Sequence, residues 1–283
     1  MSKEEVRGLV YVALAVTFFS TSPVLIRWAA PVSPFEITFW RLTSAAPIVL
    51  LLATLAGERI DFRGQDLPRF VLFGLIAALH FFFYISSLSF TSISHSLALV
   101  YTSPVFVTLF SGVFLKEPIL RRKYAGIALA LVGVAVLAGF EPKLSWRMLL
   151  GDALAVGSAV CFGLYSVVGR GQRANYPLLT YALGVYGMAA LWMAPLAAAS
   201  FRPAYHPGAV LAILALGVFP LGFGHTLYNA ALRRLHATYV NLIATQEVTG
   251  GILLGYFLLG EAPSFNSLLG AAVTLAGIAV VLL

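Results

Sequence analysis

Charge is scarce in this chain. Only 10% of its 283 residues are Asp, Glu, Lys or Arg, against 60% hydrophobic residues, and so small a polar fraction cannot cover an apolar core in water. An ordinary soluble domain is excluded, and the bilayer becomes the expected solvent. Cysteine is nearly missing: Cys161 stands alone within an apolar run, which excludes an intramolecular disulfide and a cysteine-rich metal site. No nucleotide-binding motif, no His-Glu-x-x-His spacing and no pair of aspartates inside apolar segments occurs. ATP is thereby removed as a direct driving force, as are the metallo and aspartyl classes of intramembrane protease. No cofactor or metal is expected, and no catalytic residue is assigned. Serines and histidines do lie in apolar segments, so a serine–histidine pair of an intramembrane enzyme stays open as a remote alternative.

Long apolar runs are what the chain has instead. Ten of them, near residues 7–29, 34–57, 69–90, 93–115, 123–140, 148–169, 176–200, 207–232, 237–259 and 265–283, are long enough to cross ~30 Å of hydrocarbon. The opening Met1-Ser2-Lys3-Glu4-Glu5 is too acidic for a secretory leader, so the first run reads as an uncleaved span. Sliding the sequence by 143 residues lays Gly8 through Arg27 onto Gly151 through Arg170, and Pro34 onto Pro177; sliding by 144 matches Tyr84 with Tyr228, Glu117 with Glu261, Gly126 with Gly270 and Gly133 with Gly277. Residues 1–143 and 144–283 are thus two copies of one five-span unit. Five is odd, so the second copy crosses the membrane in the opposite sense, an arrangement that places transport sites near the midplane between the copies. The expected fold class is all-α integral membrane: ten transmembrane helices as two inverted five-helix repeats, with a central cavity between the halves.

The formal net charge is +7, and its distribution decides its meaning. Thirteen of the eighteen Lys and Arg residues, from Lys3 and Arg7 through Lys116, Arg170 and Arg233, fall in the connections of one side. The positive-inside bias puts that side, with both termini, in the cytoplasm. The basic balance reports topology, and no nucleic-acid partner is expected.

Polar groups inside spans are costly and point to function. Glu247, near the centre of the ninth span, is the most expensive; its helical neighbours Ala244, Gly250 and Gly251 leave room either for a ligand or for a closely packed helix. His80 and Tyr84 share one face of the third span, and His225 and Asn229 repeat that spacing in the eighth. A histidine there lines a cavity, carries a proton or ties two helices. Pro23 and Pro104 interrupt the first and fourth spans, which makes a packing kink or a hinge. Arg41 and Glu36 are five residues apart, too far around the helix to pair, so Arg41 is expected to reach the lumen or another helix. The fifth and tenth spans have few polar side chains and share Gly-x6-Gly, as Gly126 to Gly133 and Gly270 to Gly277. They are expected to pack on each other around the pseudo-two-fold axis, with a homodimer interface as the alternative; a monomer is favoured.

Pro104 in the fourth span, the acidic residue closing the fourth and ninth spans in Phe114-Leu115-Lys116-Glu117-Pro118 and Leu258-Leu259-Gly260-Glu261, and the glycine-bearing span after each resemble the drug/metabolite transporter superfamily, specifically its two-repeat EamA-type members, over the whole chain. Within it the nearest resemblance is to bacterial aromatic amino acid exporters. The resemblance implies a pocket from spans 1, 3, 4, 6, 8 and 9, which carries substrate binding onto Thr17, Ser20, His80, Tyr84, Tyr101, Phe162, Tyr165, His225, Asn229 and Glu247. The first span has no acidic residue between Arg7 and Arg27, unlike small multidrug relatives that hold cations there. Arg41 is the one basic side chain well inside a span, which disfavours sugar phosphates and other highly anionic substrates. The expected activity is alternating-access export of a small metabolite, an amino acid with an aromatic or apolar side chain first. A proton-coupled exporter of drugs or other metabolites is the alternative.

Overall fold

The computed structural model describes residues 2–117, 120–121, 123–138, 145–202, 205–260 and 265–282; Pro118, Glu261 and the repeat boundary after residue 143 lie outside them. The described residues form helices and no strands. The first half contributes α1 (Lys3–Phe19), α2 (Ser22–Trp28), α3 (Pro34–Ala56), α4 (Leu67–Leu88), α5 (Ile93–Val100), α6 (Ser103–Phe110), a π-helical turn Ser111–Leu115, and α7 (Lys123–Ala138). The second contributes α8 (Trp146–Gly171), α9 (Leu178–Ser200), α10 (Pro207–Leu216), a π-helical segment Gly217–His225, α11 (Thr226–Leu232), α12 (Ala237–Ala244), α13 (Glu247–Leu259) and α14 (Phe265–Leu282). Among the described residues, eight helical stretches are long and apolar enough to cross a membrane. The fifth and tenth expected spans fall on α7, of 16 residues, and α14, of 18.

Local sequence sets the helix ends. Ser2 and Glu5 form a reciprocal capping box at the start of α1, and Ser33 with Pro34 opens α3, satisfying N–H groups that have no partner within the helix. Lys116 adopts a left-handed backbone after the π turn, as Gly260 does after α13; the glycine takes that conformation without a Cβ penalty.

Among the described residues three spans break in mid-course, and each break carries a threonine. Thr21 Oγ1 donates to the Phe18 carbonyl, Thr102 Oγ1 to that of Leu99 and Thr245 Oγ1 to that of Leu242, each at 2.7 Å. The hydroxyl takes a carbonyl three residues back, in competition with the regular helical ladder. Pro23 and Pro104 sit in the first turns of the helices that resume, where the missing N–H does no harm. The third break, between α12 and α13, has no proline. The repeat mate of Pro104 is Val248, and that of Pro23 is Ser166, through which α8 runs uninterrupted.

The helix pairing is reciprocal between the halves. α3 packs on α9 and α7 on α14, each with its own repeat mate, while α4 against α8 is matched by α1 against α11. Side chains obey the same relation: Arg27 Nη1 donates to the Leu88 carbonyl at 2.8 Å, and its mate Arg170 Nη1 donates to the carbonyl of Leu232, the mate of Leu88, at 3.0 Å. The α7–α14 seam depends on glycine. A Cβ on Gly133 would stand 2.4 Å from the Thr274 backbone nitrogen, and one on Gly277 2.3 Å from that of Ala130. The expected pairing of the fifth and tenth spans is therefore present within one chain.

Candidate functional site in the central cavity

The break before α13 places Glu247 at the first position of a 13-residue helix. Its carboxylate sits at the positive end of that helix dipole, which favours negative charge, and it is 6% exposed. Tyr84 of α4 donates to Oε1 at 3.1 Å, and Tyr101, at the end of α5, donates to Oε2. Three elements from both halves thus meet on one carboxylate. The small neighbours of Glu247 serve helix packing: a Cβ at Gly250 would lie 2.0 Å from Ser20 Oγ, and one at Gly251 3.0 Å from Leu97 Cδ1.

Glu247, Tyr84 and Tyr101 line a cavity of about 20 Å³ with Phe19, Ser22, Arg41, His80, Phe81, Val100, Phe162 and His225. That volume holds a water-sized guest, so the walls have drawn together and must part to admit a metabolite. Rings make most of the lining. His80 stacks on Phe162 with centroids 4.6 Å apart and planes 10° from parallel. His225 meets Phe81 edge-on at 4.8 Å and lies 4.4 Å from Phe19. The repeat relation survives among the rings, since Phe19 and Phe162 are mates and Phe81 is the mate of His225.

His80 lines the cavity and also ties two helices. Its Nδ1 lies 2.9 Å from Ser158 Oγ and 3.2 Å from the Ser158 carbonyl, while the Ser158 hydroxyl donates to the His80 carbonyl at 3.0 Å. A carbonyl only accepts, so the ring proton is assigned to Nδ1. Ser158 is fully buried and is not part of the cavity lining. This serine–histidine pair is an α4–α8 cross-link with its hydroxyl already engaged.

Of the ten residues carried over in sequence, His80, Tyr84, Tyr101, Phe162, His225 and Glu247 come together on the cavity wall. Tyr165 and Asn229 lie behind it, joined by an Asn229 Nδ2 hydrogen bond to the Tyr165 hydroxyl at 2.6 Å. Ser20 is turned against Gly250, its hydroxyl donating to the Val16 carbonyl at 2.8 Å. Thr17 is on the exposed face of α1, its hydroxyl donating to the Ala13 carbonyl. Two residues, about 200° of helical rotation, separate the exposed Thr17 from the buried cavity residue Phe19, and composition does not reveal which of the two faces inward. The sequence reading left Phe19, Ser22, Phe81 and Val100 out of the pocket, and it expected Arg41 to reach the lumen or another helix without counting it among the binding residues. For Arg41 a signal existed, since it is the one basic side chain well inside a span; the structure directs it to the cavity and gives Glu36 to the Tyr205 hydroxyl.

Polar contacts tie helix ends together on the two sides of the bundle. At the end expected in the cytoplasm, Arg170 grips Glu117 through Nε at 3.2 Å and Nη2 at 3.1 Å, Arg173 adds a contact at 3.5 Å, and His236 Nε2 lies 2.9 Å from the Glu117 carbonyl. Burial pushes the Glu117 carboxyl up, but the Arg170 hydrogen bonds and the charges of Arg170, His236 and Arg173 outweigh it and hold the group below its usual range. At the other end Arg27 spans the Leu88 and Thr91 carbonyls.

Comparison with known proteins agrees with this architecture. A protein of Archaeoglobus fulgidus described as an uncharacterized transporter is 27% identical over 96% of this chain and 97% of its own length. The threonine/homoserine exporter RhtA of Salmonella typhimurium LT2 is 26% identical over 78% of this chain and 72% of its own, and that of Escherichia coli K12 is 25% identical over the same shares. A crystal structure with a TM-score of 0.80 and 22% identity covers 96% of this chain and 95% of its own, a likeness of fold. Residues 6–139 and 149–283 each match the EamA-like transporter family; the chain is a multi-pass membrane protein of that family, within the drug/metabolite transporter superfamily.

Proposed function

We propose that this transporter exports small zwitterionic metabolites, amino acids with aromatic or apolar side chains first among them, across a bacterial inner membrane. Ten spans in two inverted repeats, residues 1–143 and 144–283, open the central cavity first to the cytoplasm, where both termini lie, and then to the other side. The observation that carries the reading is Glu247: a buried carboxylate held by Tyr84 and Tyr101 at a helix N-terminus, inside an aromatic-walled cavity where the halves meet. A carboxylate so placed suits a substrate amine, and the rings suit an apolar or aromatic side chain. The names of the RhtA relatives, which designate threonine and homoserine as their cargo, support the amino-acid class.

In this mechanism the Glu117–Arg170–Arg173 cluster and the Arg27 contacts are the two closures. One releases while the other holds, and the near-equivalent geometry of Arg27 and Arg170 suits a structure whose halves exchange roles. Transport is passive, down the metabolite gradient, because one central carboxylate is present and its repeat mate is Ser103. Proton coupling is the second reading, favoured by the presence of His80, His225 and Glu247 in one cavity.

The test is counterflow of radiolabelled tryptophan, phenylalanine, methionine and threonine in proteoliposomes, with and without an imposed pH gradient. Saturable exchange insensitive to the gradient is the expected result. Gradient-driven accumulation moves the reading to proton coupling, and no exchange of any amino acid by folded protein overturns the substrate class.

A further inference from the structure

Arg41 is the charge in the cavity that the carboxylate of Glu247 leaves unexplained. It lies on α3, 1% exposed, with its guanidinium carbon 4.6 Å from the Phe81 ring centroid. Its Nε and Nη1 are buried without a hydrogen-bond partner. A cation at membrane depth is strongly penalised unless its N–H groups are met, and the face of a ring compensates only in part. Glu247 is in the opposite condition, since both of its oxygens accept from tyrosine hydroxyls. One cavity therefore presents a carboxylate whose position is fixed and a guanidinium with donors to spare.

We propose that Arg41 and Glu247 are the two poles of a zwitterion clamp: Arg41 takes the carboxylate of an α-amino acid, and Glu247 takes its ammonium group. The clamp rests on the amino-acid reading above and adds the residue that makes a free carboxylate necessary. A dipolar guest pairs both buried charges at once. An amine without a carboxylate leaves Arg41 unmet, and an N-blocked acid leaves Glu247 facing no cation, so the selectivity comes from the penalty of the unpaired group. The poles belong to different halves, Arg41 to α3 and Glu247 to α13, and the guest joins the two parts that must move around it. Phe19, Phe81 and Phe162 remain to receive the side chain.

The test uses the full-length protein in proteoliposomes, with counterflow of labelled phenylalanine, or of whichever of the four amino acids exchanges fastest. The competitors are the parent amino acid, its methyl ester, which lacks the carboxylate, and its N-acetyl derivative, which lacks the ammonium group. In the wild type each derivative is expected to compete roughly tenfold or more weakly than the parent. Arg41→Gln is expected to weaken the parent by a similar factor while leaving the ester unchanged, and Arg41→Lys to restore part of the difference. An ester that competes as well as the parent in the wild type overturns the clamp without recourse to any variant. So does a folded, monodisperse Arg41→Gln protein that keeps both wild-type affinity and discrimination. Either result, with amino acids still exchanging, leaves the amino-acid reading standing; no exchange of any amino acid by the wild type ends both.

Discussion

Tyr84 and Tyr228 hold equivalent places in the two halves, and their surroundings have diverged. Tyr84 donates to Glu247 on the cavity wall. Tyr228 faces the repeat mate of Glu247, Ser103, through Asn241: the Asn241 Nδ2 donates to the Tyr228 hydroxyl at 3.1 Å, Ser103 Oγ donates to Asn241 Oδ1 at 2.8 Å, and Ser166 lies 2.7 Å from the Tyr228 hydroxyl. That second cluster is neutral, mutually satisfied and fully buried away from the cavity lining. The first is charged and turned toward the space a guest occupies. Arg41 follows the same division, because its mate is Gly184. Duplication supplied a symmetric frame, and the chemistry was placed on one side of it. A buried network that satisfies itself serves stability, whereas a charge left facing a cavity is retained for a partner.

The comparison is broken most directly at its charged pole. Glu247→Gln is expected to reduce amino-acid exchange by about 100-fold, about 3 kcal/mol, with little change in the melting temperature of the purified protein. Wild-type exchange by that variant would remove the functional half of the contrast. The symmetric frame is tested next. Gly133→Leu and Gly277→Leu each press a side chain into the backbone of the opposing helix, and each should destabilise by roughly 2–3 kcal/mol, read as paired losses in thermal melts; a loss from only one would deny that the seam is symmetric. In the neutral cluster, Asn241→Leu strands the Ser103 hydroxyl and leaves the Tyr228 hydroxyl with Ser166 alone, and should cost about 1–3 kcal/mol of stability while leaving the apparent affinity for exchanged amino acids near that of wild type.

The smallest effect is expected at the Glu117 closure. Its carboxyl titrates below the usual range in the folded protein, so its contribution is present above the unfolded-state value near pH 4 and is lost as pH falls through the lowered one. Melting temperature should drop on acidification along that limb, and Glu117→Gln should flatten the drop by about 1 kcal/mol or less, since the group is partly exposed. An unchanged acid limb in Glu117→Gln would assign the drop to other groups.

Parts of this arrangement were legible beforehand for identifiable reasons. Glycines seven apart on two otherwise apolar segments announced close approach, and Gly133 and Gly277 now lie against Thr274 and Ala130. The four-residue spacing of His80 and Tyr84 placed them on one face, and both reach the cavity. The break before Glu247 was not legible, because the expected signal was proline and the hydroxyl of Thr245 does the work instead. Nor was the exposure of Thr17, since α1 is apolar nearly all round and it packs chiefly on α11 and the π-helical segment Gly217–His225.

By itself the sequence determined the solvent, the all-helical class, the duplication and the small set of polar residues that the membrane interior must accommodate, because lipid leaves a chain few ways to satisfy its backbone and makes every buried charge conspicuous. Only the tertiary structure decided which of those residues meet. In a soluble helix the apolar stripe fixes which side faces inward, but a helix apolar on every side carries no such mark; packing against its neighbours brought Arg41 and Glu247 to one cavity and turned Thr17 away from it.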